Sequence, residues 1–86
     1  MGKPESLTLY FREGSSDKEY HASLEEIKGK GWIVNFKYGR RGNAGTAGTK
    51  TTSPVNYDEA RKIYVKLVNS KTSKGYIEEN GNVPFL

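Results

Sequence analysis

The sequence predicts a small α+β domain, in which an antiparallel sheet of about four strands is covered on one face by a single C-terminal helix. Apolar and polar residues alternate through the first half of the chain, which is typical of strands with one buried face. After Tyr57 the period changes to that of a helix with one apolar stripe. With 86 residues in total, the chain has room for one core.

The first strand is predicted over residues 7–12, where apolar and polar side chains alternate. A turn rich in Gly, Ser and Asp follows at residues 14–17. The second strand is predicted over residues 18–27 and has Tyr20, Ala22 and Leu24 on one side. Because a short turn separates the two strands, we expect them to pair antiparallel.

The third strand has the clearest alternation, over residues 32–38. Its apolar face consists of Trp32, Val34, Phe36 and Tyr38. A glycine-rich loop is predicted over residues 39–48, and the threonine-rich residues 46–52 are predicted to pair as a fourth strand. Ser53-Pro54 ends this strand.

The helix is predicted over residues 57–73. Its apolar stripe consists of Ala60, Ile63, Tyr64, Leu67 and Val68. Asn56 followed by Glu59 fits a capping box at the start, and Gly75 suits a left-handed cap at the end.

Positive charge is concentrated in one part of the chain. No acidic residue lies between Ile27 and Tyr57, a segment with six basic residues: Lys28, Lys30, Lys37, Arg40, Arg41 and Lys50. Since the whole chain carries +4, the remainder carries 4 − 6 = −2. Guanidinium groups match phosphate oxygens, and flat rings stack on nucleotides. Nucleic acid is therefore the first partner to consider.

Other classes of function have little support in the sequence. The absence of cysteine excludes disulfides and Cys-ligated zinc and fits an intracellular protein, and no apolar run could cross a membrane. His21 has no partner placed by the sequence, and the adjacent pairs Glu25-Glu26 and Glu78-Glu79 point opposite ways in extended structure. The run around Gly45 lacks the spacing of a phosphate loop. We expect a domain that is not an enzyme and has no cofactor or metal.

Several short motifs follow one another in a defined order. They are Ser-Asp-Lys-Glu-Tyr at 16–20, Gly31-Trp32, Tyr-Gly-Arg-Arg-Gly at 38–42, Ala60 with Tyr64, and Gly75-Tyr76. Together they resemble the WGR domain, which is named for its Trp-Gly-Arg signature and is found in poly(ADP-ribose) polymerases and in bacterial proteins. Tyr38 stands here in place of the signature Trp.

The resemblance covers residues 6–77 and implies a WGR-like domain there. Residues 1–5 and 78–86 are then expected to be flexible ends, in a chain cut from a longer parent. In the polymerases the domain contacts the end of broken DNA and relays that contact to the catalytic part. The signature Trp packs on a terminal nucleotide, and the signature Arg reaches DNA and neighbouring domains. The resemblance therefore implies these roles for Tyr38 and Arg40.

These observations predict a non-catalytic module that contacts DNA phosphates and an exposed nucleotide, at ends or breaks, or that binds another polyanion. The predicted nucleic-acid-binding residues are Lys37, Tyr38, Gly39, Arg40, Arg41 and Lys50. Tyr38 either stacks on the ligand or is the last core residue of its strand. The two arginines either bind phosphate or are solvated charges on a turn.

Two further alternatives concern the loop and the partner. The N–H groups of Gly42, Asn43 and Gly45 either form an anion-binding nest or serve a turn that needs positive φ. The second function that the sequence allows is an interdomain adaptor, in which Arg40 bridges to carboxylates of a neighbouring domain.

Overall fold

A computed structural model describes residues 2–85, so Met1 and Leu86, which belong to the predicted flexible ends, lie outside the described residues. The elements in chain order are β1 (Glu5–Glu13), β2 (Ser16–Ile27), β3 (Gly31–Arg40), β4 (Thr46–Thr49) and α1 (Tyr57–Thr72). The strands form one antiparallel sheet in the order β1-β2-β3-β4. This arrangement confirms the predicted α+β class.

The strand register brings the alternating apolar residues onto one face of the sheet. Leu9 lies opposite Tyr20, which lies opposite Tyr38 on its other side. Helix α1 covers this face, and its apolar stripe completes the core. The buried apolar residues are Leu9, Tyr20, Ala22, Leu24, Trp32, Val34, Ala60, Tyr64, Leu67 and Val68.

The third strand is longer, and the loop after it shorter, than the alternation of apolar residues predicts. Strand β3 continues through Gly39 and Arg40, which pair with Glu19 and Lys18 of β2. The loop is therefore confined to residues 41–45, and the fourth strand ends at Thr49. The 12-residue strand β2 supplies partners beyond the apolar part of β3, so backbone pairing extends β3 where side chains give no signal.

Both ends of α1 carry the predicted caps. The side chain of Asn56 accepts a hydrogen bond from the Glu59 N–H at 2.8 Å. At the other end the N–H of Tyr76 bonds to the Lys71 carbonyl and the N–H of Gly75 to the Thr72 carbonyl. With Gly75 at a φ of +105°, these bonds form a Schellman motif. After this motif the chain returns to the sheet, where Ile77 pairs with Tyr10 at the free edge of β1.

Asn56→Ala is expected to lower the free energy of unfolding by about 1 kcal/mol, because the Glu59 N–H loses its acceptor. Urea denaturation measures the change. Asn56→Asp keeps an acceptor and is expected to retain nearly all of the stability. An equal loss in both variants would contradict a capping role.

Both ends of the described chain contact the helix. The Arg61 Nε donates to a Glu5 carboxylate oxygen at 2.8 Å. Pro84 is buried, and the ring of Phe85 lies edge-on to Tyr64 with 5.9 Å between centroids. The predicted flexibility of residues 1–5 and 78–86 stays a prediction.

Candidate nucleic-acid interface

Tyr38 lies on the helix side of the sheet, at the margin of the area that α1 covers. Its ring stacks on the buried ring of Tyr20, with 5.8 Å between centroids and 13° between planes. The residue is nonetheless 45% exposed. The two alternatives for Tyr38 are therefore compatible, since the ring packs against the core and also presents surface to solvent.

Three more aromatic contacts hold this region together. Phe36 stacks with both Tyr20 and Tyr38 at centroid distances of 6.0 and 5.9 Å. Tyr76, which the Schellman motif directs back to the sheet, meets Tyr20 edge-on at 6.3 Å. We call Tyr20, Phe36, Tyr38 and Tyr76 the aromatic shelf. Such ring pairs contribute about 0.5–1.5 kcal/mol each beyond the burial of their area. These contacts therefore hold the four rings of the shelf in place.

Arg40 lies two residues beyond Tyr38 and therefore points to the same side of the sheet. Its Nη1 is 3.4 Å from the Ser15 carbonyl oxygen, a long hydrogen bond. Within residues 2–85 it takes part in none of the ion pairs. Its partner in register is Lys18, also a cation. This guanidinium therefore keeps most of its capacity to bind an anion.

An open cavity of about 390 Å³ lies beside Tyr38 and Arg40. We call it the Tyr38 cavity, and its lining includes Lys18, Tyr20, Tyr38, Arg40, Lys71 and Tyr76. Three of these side chains are cations and three are aromatic rings. The cavity can therefore hold a flat ring and a negative charge together.

Lys71 comes from the last turn of α1, and its Nζ lies 4.7 Å from the centre of the Tyr20 ring. Burial lowers the pKa of Lys71, and the positive charges of Lys74 and Lys50 lower it further. The sequence predicted neither Lys18 nor Lys71 as a site residue. Lys71 belongs to the Lys-Thr-Ser-Lys-Gly-Tyr segment at the end of the helix. This segment was the one sequence feature that could have indicated a basic residue near the site.

The six predicted site residues do not share one surface. Lys50 lies on the helix side with Tyr38 and Arg40, since its Nζ is 5.4 Å from the centre of the Phe36 ring. Lys37 and Arg41 alternate to the opposite face of the sheet. There Arg41 lies over the Tyr10 ring at 5.5 Å and reaches the Glu79 carboxylate at 4.0 Å. The sequence predicts Arg40 and Arg41 at one site. Because the backbone at the end of β3 is extended, their side chains lie on opposite faces of the sheet.

The glycines around this turn serve backbone geometry. Gly42 and Gly45 have φ of +88° and +75°. The Asn43 N–H donates a hydrogen bond to the Arg40 carbonyl oxygen within the turn, at 3.0 Å. A Cβ on Gly39 would come within 2.8 Å of the Gly45 Cα. These facts favour the turn explanation over an anion-binding nest, and they explain why the residue between Tyr38 and Arg40 has no side chain.

The family model of the WGR domain matches residues 5–83, nearly the whole chain. The chain belongs to the WGR family. WGR domains are known as nucleic-acid-binding modules and form a non-catalytic family. No curated protein and no solved structure matches the chain.

Elsewhere in this WGR domain, His21 is held in a small polar network. Its Nδ1 lies 2.8 Å from the Thr8 hydroxyl, and its Nε2 lies 3.5 Å from a Glu19 oxygen. Within residues 2–85, no group of three or more His, Cys, Asp or Glu side chains is placed to hold a metal ion. In the same part of the chain, no helix has the length and apolar character needed to cross a membrane.

Proposed function

We propose that this WGR domain binds DNA at exposed ends through the Tyr38 cavity. The observation that carries the proposal is the pairing of a half-exposed ring, Tyr38, with a guanidinium, Arg40, that has no carboxylate partner among residues 2–85. A nucleotide at a duplex end offers a ring face and a phosphate at close range. Tyr38 contacts the sugar or base, and Arg40 binds the phosphate.

The surroundings of the cavity favour the same ligand. None of its lining residues is acidic, and Lys18 and Lys71 add positive charge to the same cavity as Arg40. Lys50 approaches from the β4 side across the Phe36 ring. Contacts of this kind fix a nucleic acid by its backbone and do not read its sequence, so binding without sequence preference is expected.

The two arginines are expected to differ in their contributions. Arg40→Ala should weaken binding to a short duplex with free ends by roughly tenfold to a hundredfold, because a charge-assisted hydrogen bond contributes about 1.5–3 kcal/mol. It should also reduce the slope of log K against log salt by about one unit. Arg41→Ala should keep most of the affinity, because Arg41 faces Tyr10 and Glu79 on the other side of the sheet.

Fluorescence anisotropy with a labelled duplex, at several salt concentrations, measures both quantities. The two variants have the same net charge, so a difference between them reports position. Equal losses would mean that the charge of the segment matters and the cavity does not. An unchanged affinity in Arg40→Ala would overturn the proposal.

The adaptor function remains the second candidate, because an Arg40 with this environment also suits a carboxylate of another domain. Amide chemical shifts on titration with a blunt duplex separate the two. Binding through the Tyr38 cavity should perturb amides at Tyr38, Arg40 and Lys71. If these amides do not move while an added neighbouring domain does shift them, the adaptor function is supported.

A further inference from the structure

The positive surface continues beyond the Tyr38 cavity. A second open groove, of about 240 Å³, lies beside the C-terminal half of α1. We call it the helix groove, and it is lined by Lys50, Ile63, Lys66, Leu67 and Ser70. It therefore has one cation from the segment after β4 and one from the helix, above an apolar floor.

Lys50 and Lys71 connect the helix groove to the Tyr38 cavity. Lys50 lines the groove and also lies over Phe36 of the aromatic shelf. Ser70 and Lys71 are neighbours in the last turns of α1, one lining the groove and the other the cavity. Lys74 adds a further positive charge close enough to Lys71 to lower its pKa. The cations Lys18, Arg40, Lys71, Lys74, Lys50 and Lys66 thus lie along one surface, which we call the basic track.

No carboxylate interrupts the basic track. The ion pairs within residues 2–85 use Arg12, His21, Arg41 and Arg61 as cations, and none uses a residue of the track. Neither the cavity nor the groove has an acidic residue in its lining. Six like charges gathered on one side favour a polyanion that can follow them.

We propose that the basic track holds a single-stranded extension of the DNA end, so that the domain prefers a tailed duplex to a blunt one. This inference rests on the proposed function and names its substrate class. Unpaired nucleotides expose ring faces that a duplex keeps stacked inside, and the aromatic shelf borders the track at Phe36, which is partly buried and has the Lys50 ammonium over its ring. The phosphates of the extension then pass Lys50 and reach Lys66.

The test compares a blunt duplex with the same duplex carrying a four-nucleotide extension on either strand. The wild-type domain should bind one of the tailed duplexes about tenfold more tightly than the blunt one. Its salt slope should be steeper by about one to two units, since each single-strand phosphate that is neutralised adds about 0.7.

Lys66→Glu and Lys62→Glu are matched variants, because both reverse one charge on α1 and they lie one helical turn apart. Only Lys66 lines the helix groove. Lys66→Glu should remove most of the gain that the tail provides while keeping the affinity for the blunt duplex, and Lys62→Glu should keep the gain.

A wild-type domain that binds blunt and tailed duplexes equally would overturn this inference, as would equal effects of the two lysine variants on the tail gain. The proposed function is tested separately by Arg40→Ala on the blunt duplex. If Arg40→Ala weakens binding and the tail has no effect, the end-binding function stands and the single-stranded track is wrong.

Discussion

Replacing Gly45 by valine is expected to disorder the turn that positions Tyr38 and Arg40 and to lower the stability of the whole domain. At a φ of +75° any L side chain is strained, at a cost of about 1–3 kcal/mol. The new Cβ would also collide with the carbonyl oxygen of Tyr38. Overpacking against backbone adds about 1–3 kcal/mol. Relief requires the end of β3 to move, and Tyr38 and Arg40 move with it.

Gly42→Val is the matched control, because Gly42 has a φ of +88° and a Cβ there meets nothing within 4 Å. Gly42→Val should lose only the stability that backbone strain costs, and its Tyr38 cavity should keep its shape. Urea denaturation gives the stability of each variant, and duplex binding under conditions where both are folded gives the effect on the site. Equal stability and equal binding in the two variants would show that the contact with Tyr38 has no consequence.

Tyr64→Ala is expected to lower the free energy of unfolding by about 3–5 kcal/mol, a large share of the roughly 5–15 kcal/mol that folded domains have in total. Tyr64 belongs to α1, is 1% exposed and is among the largest fully buried side chains. Burial also raises the pKa of Tyr64 to about 12, as expected for a phenol held away from solvent. Loss of its ring opens a cavity between α1 and the sheet and removes the edge contact with Phe85.

Tyr64→Phe retains the ring and is expected to keep most of the stability. Thermal and urea unfolding, followed by circular dichroism, measure both variants. A Tyr64→Ala protein with nearly wild-type stability would show that α1 is held to the sheet by other contacts.

The sequence was sufficient to predict the fold because its signals are local. Alternation identifies the strands, and the stripe that contains Tyr64 identifies the helix. The Asn56 cap and the position of Gly75 fix the ends of α1. Strand β3 was predicted too short, because no apolar alternation marks Gly39 and Arg40, and only pairing with β2 shows that they are extended.

The candidate site was predicted in part. Tyr38, Arg40 and Lys50 lie on one side, whereas Lys37 and Arg41 lie on the other, a division that alternation alone predicts once β3 is known to extend to Arg40. Lys71 could not be predicted as their neighbour. It lies 71 − 40 = 31 residues after Arg40, near the end of α1, and its place beside Tyr20 depends on how α1 packs on the sheet.

The stacking of Tyr38 on Tyr20 determines how this side chain behaves before any partner arrives. A solvent-exposed tyrosine normally samples several rotamers and loses that freedom when it is immobilised. Here the intramolecular stack already restricts the ring, so little further motion remains to be lost on association. In the proposed complex, a tyrosine at the position of the signature tryptophan would offer less contact area than a tryptophan but would start from a preorganised state.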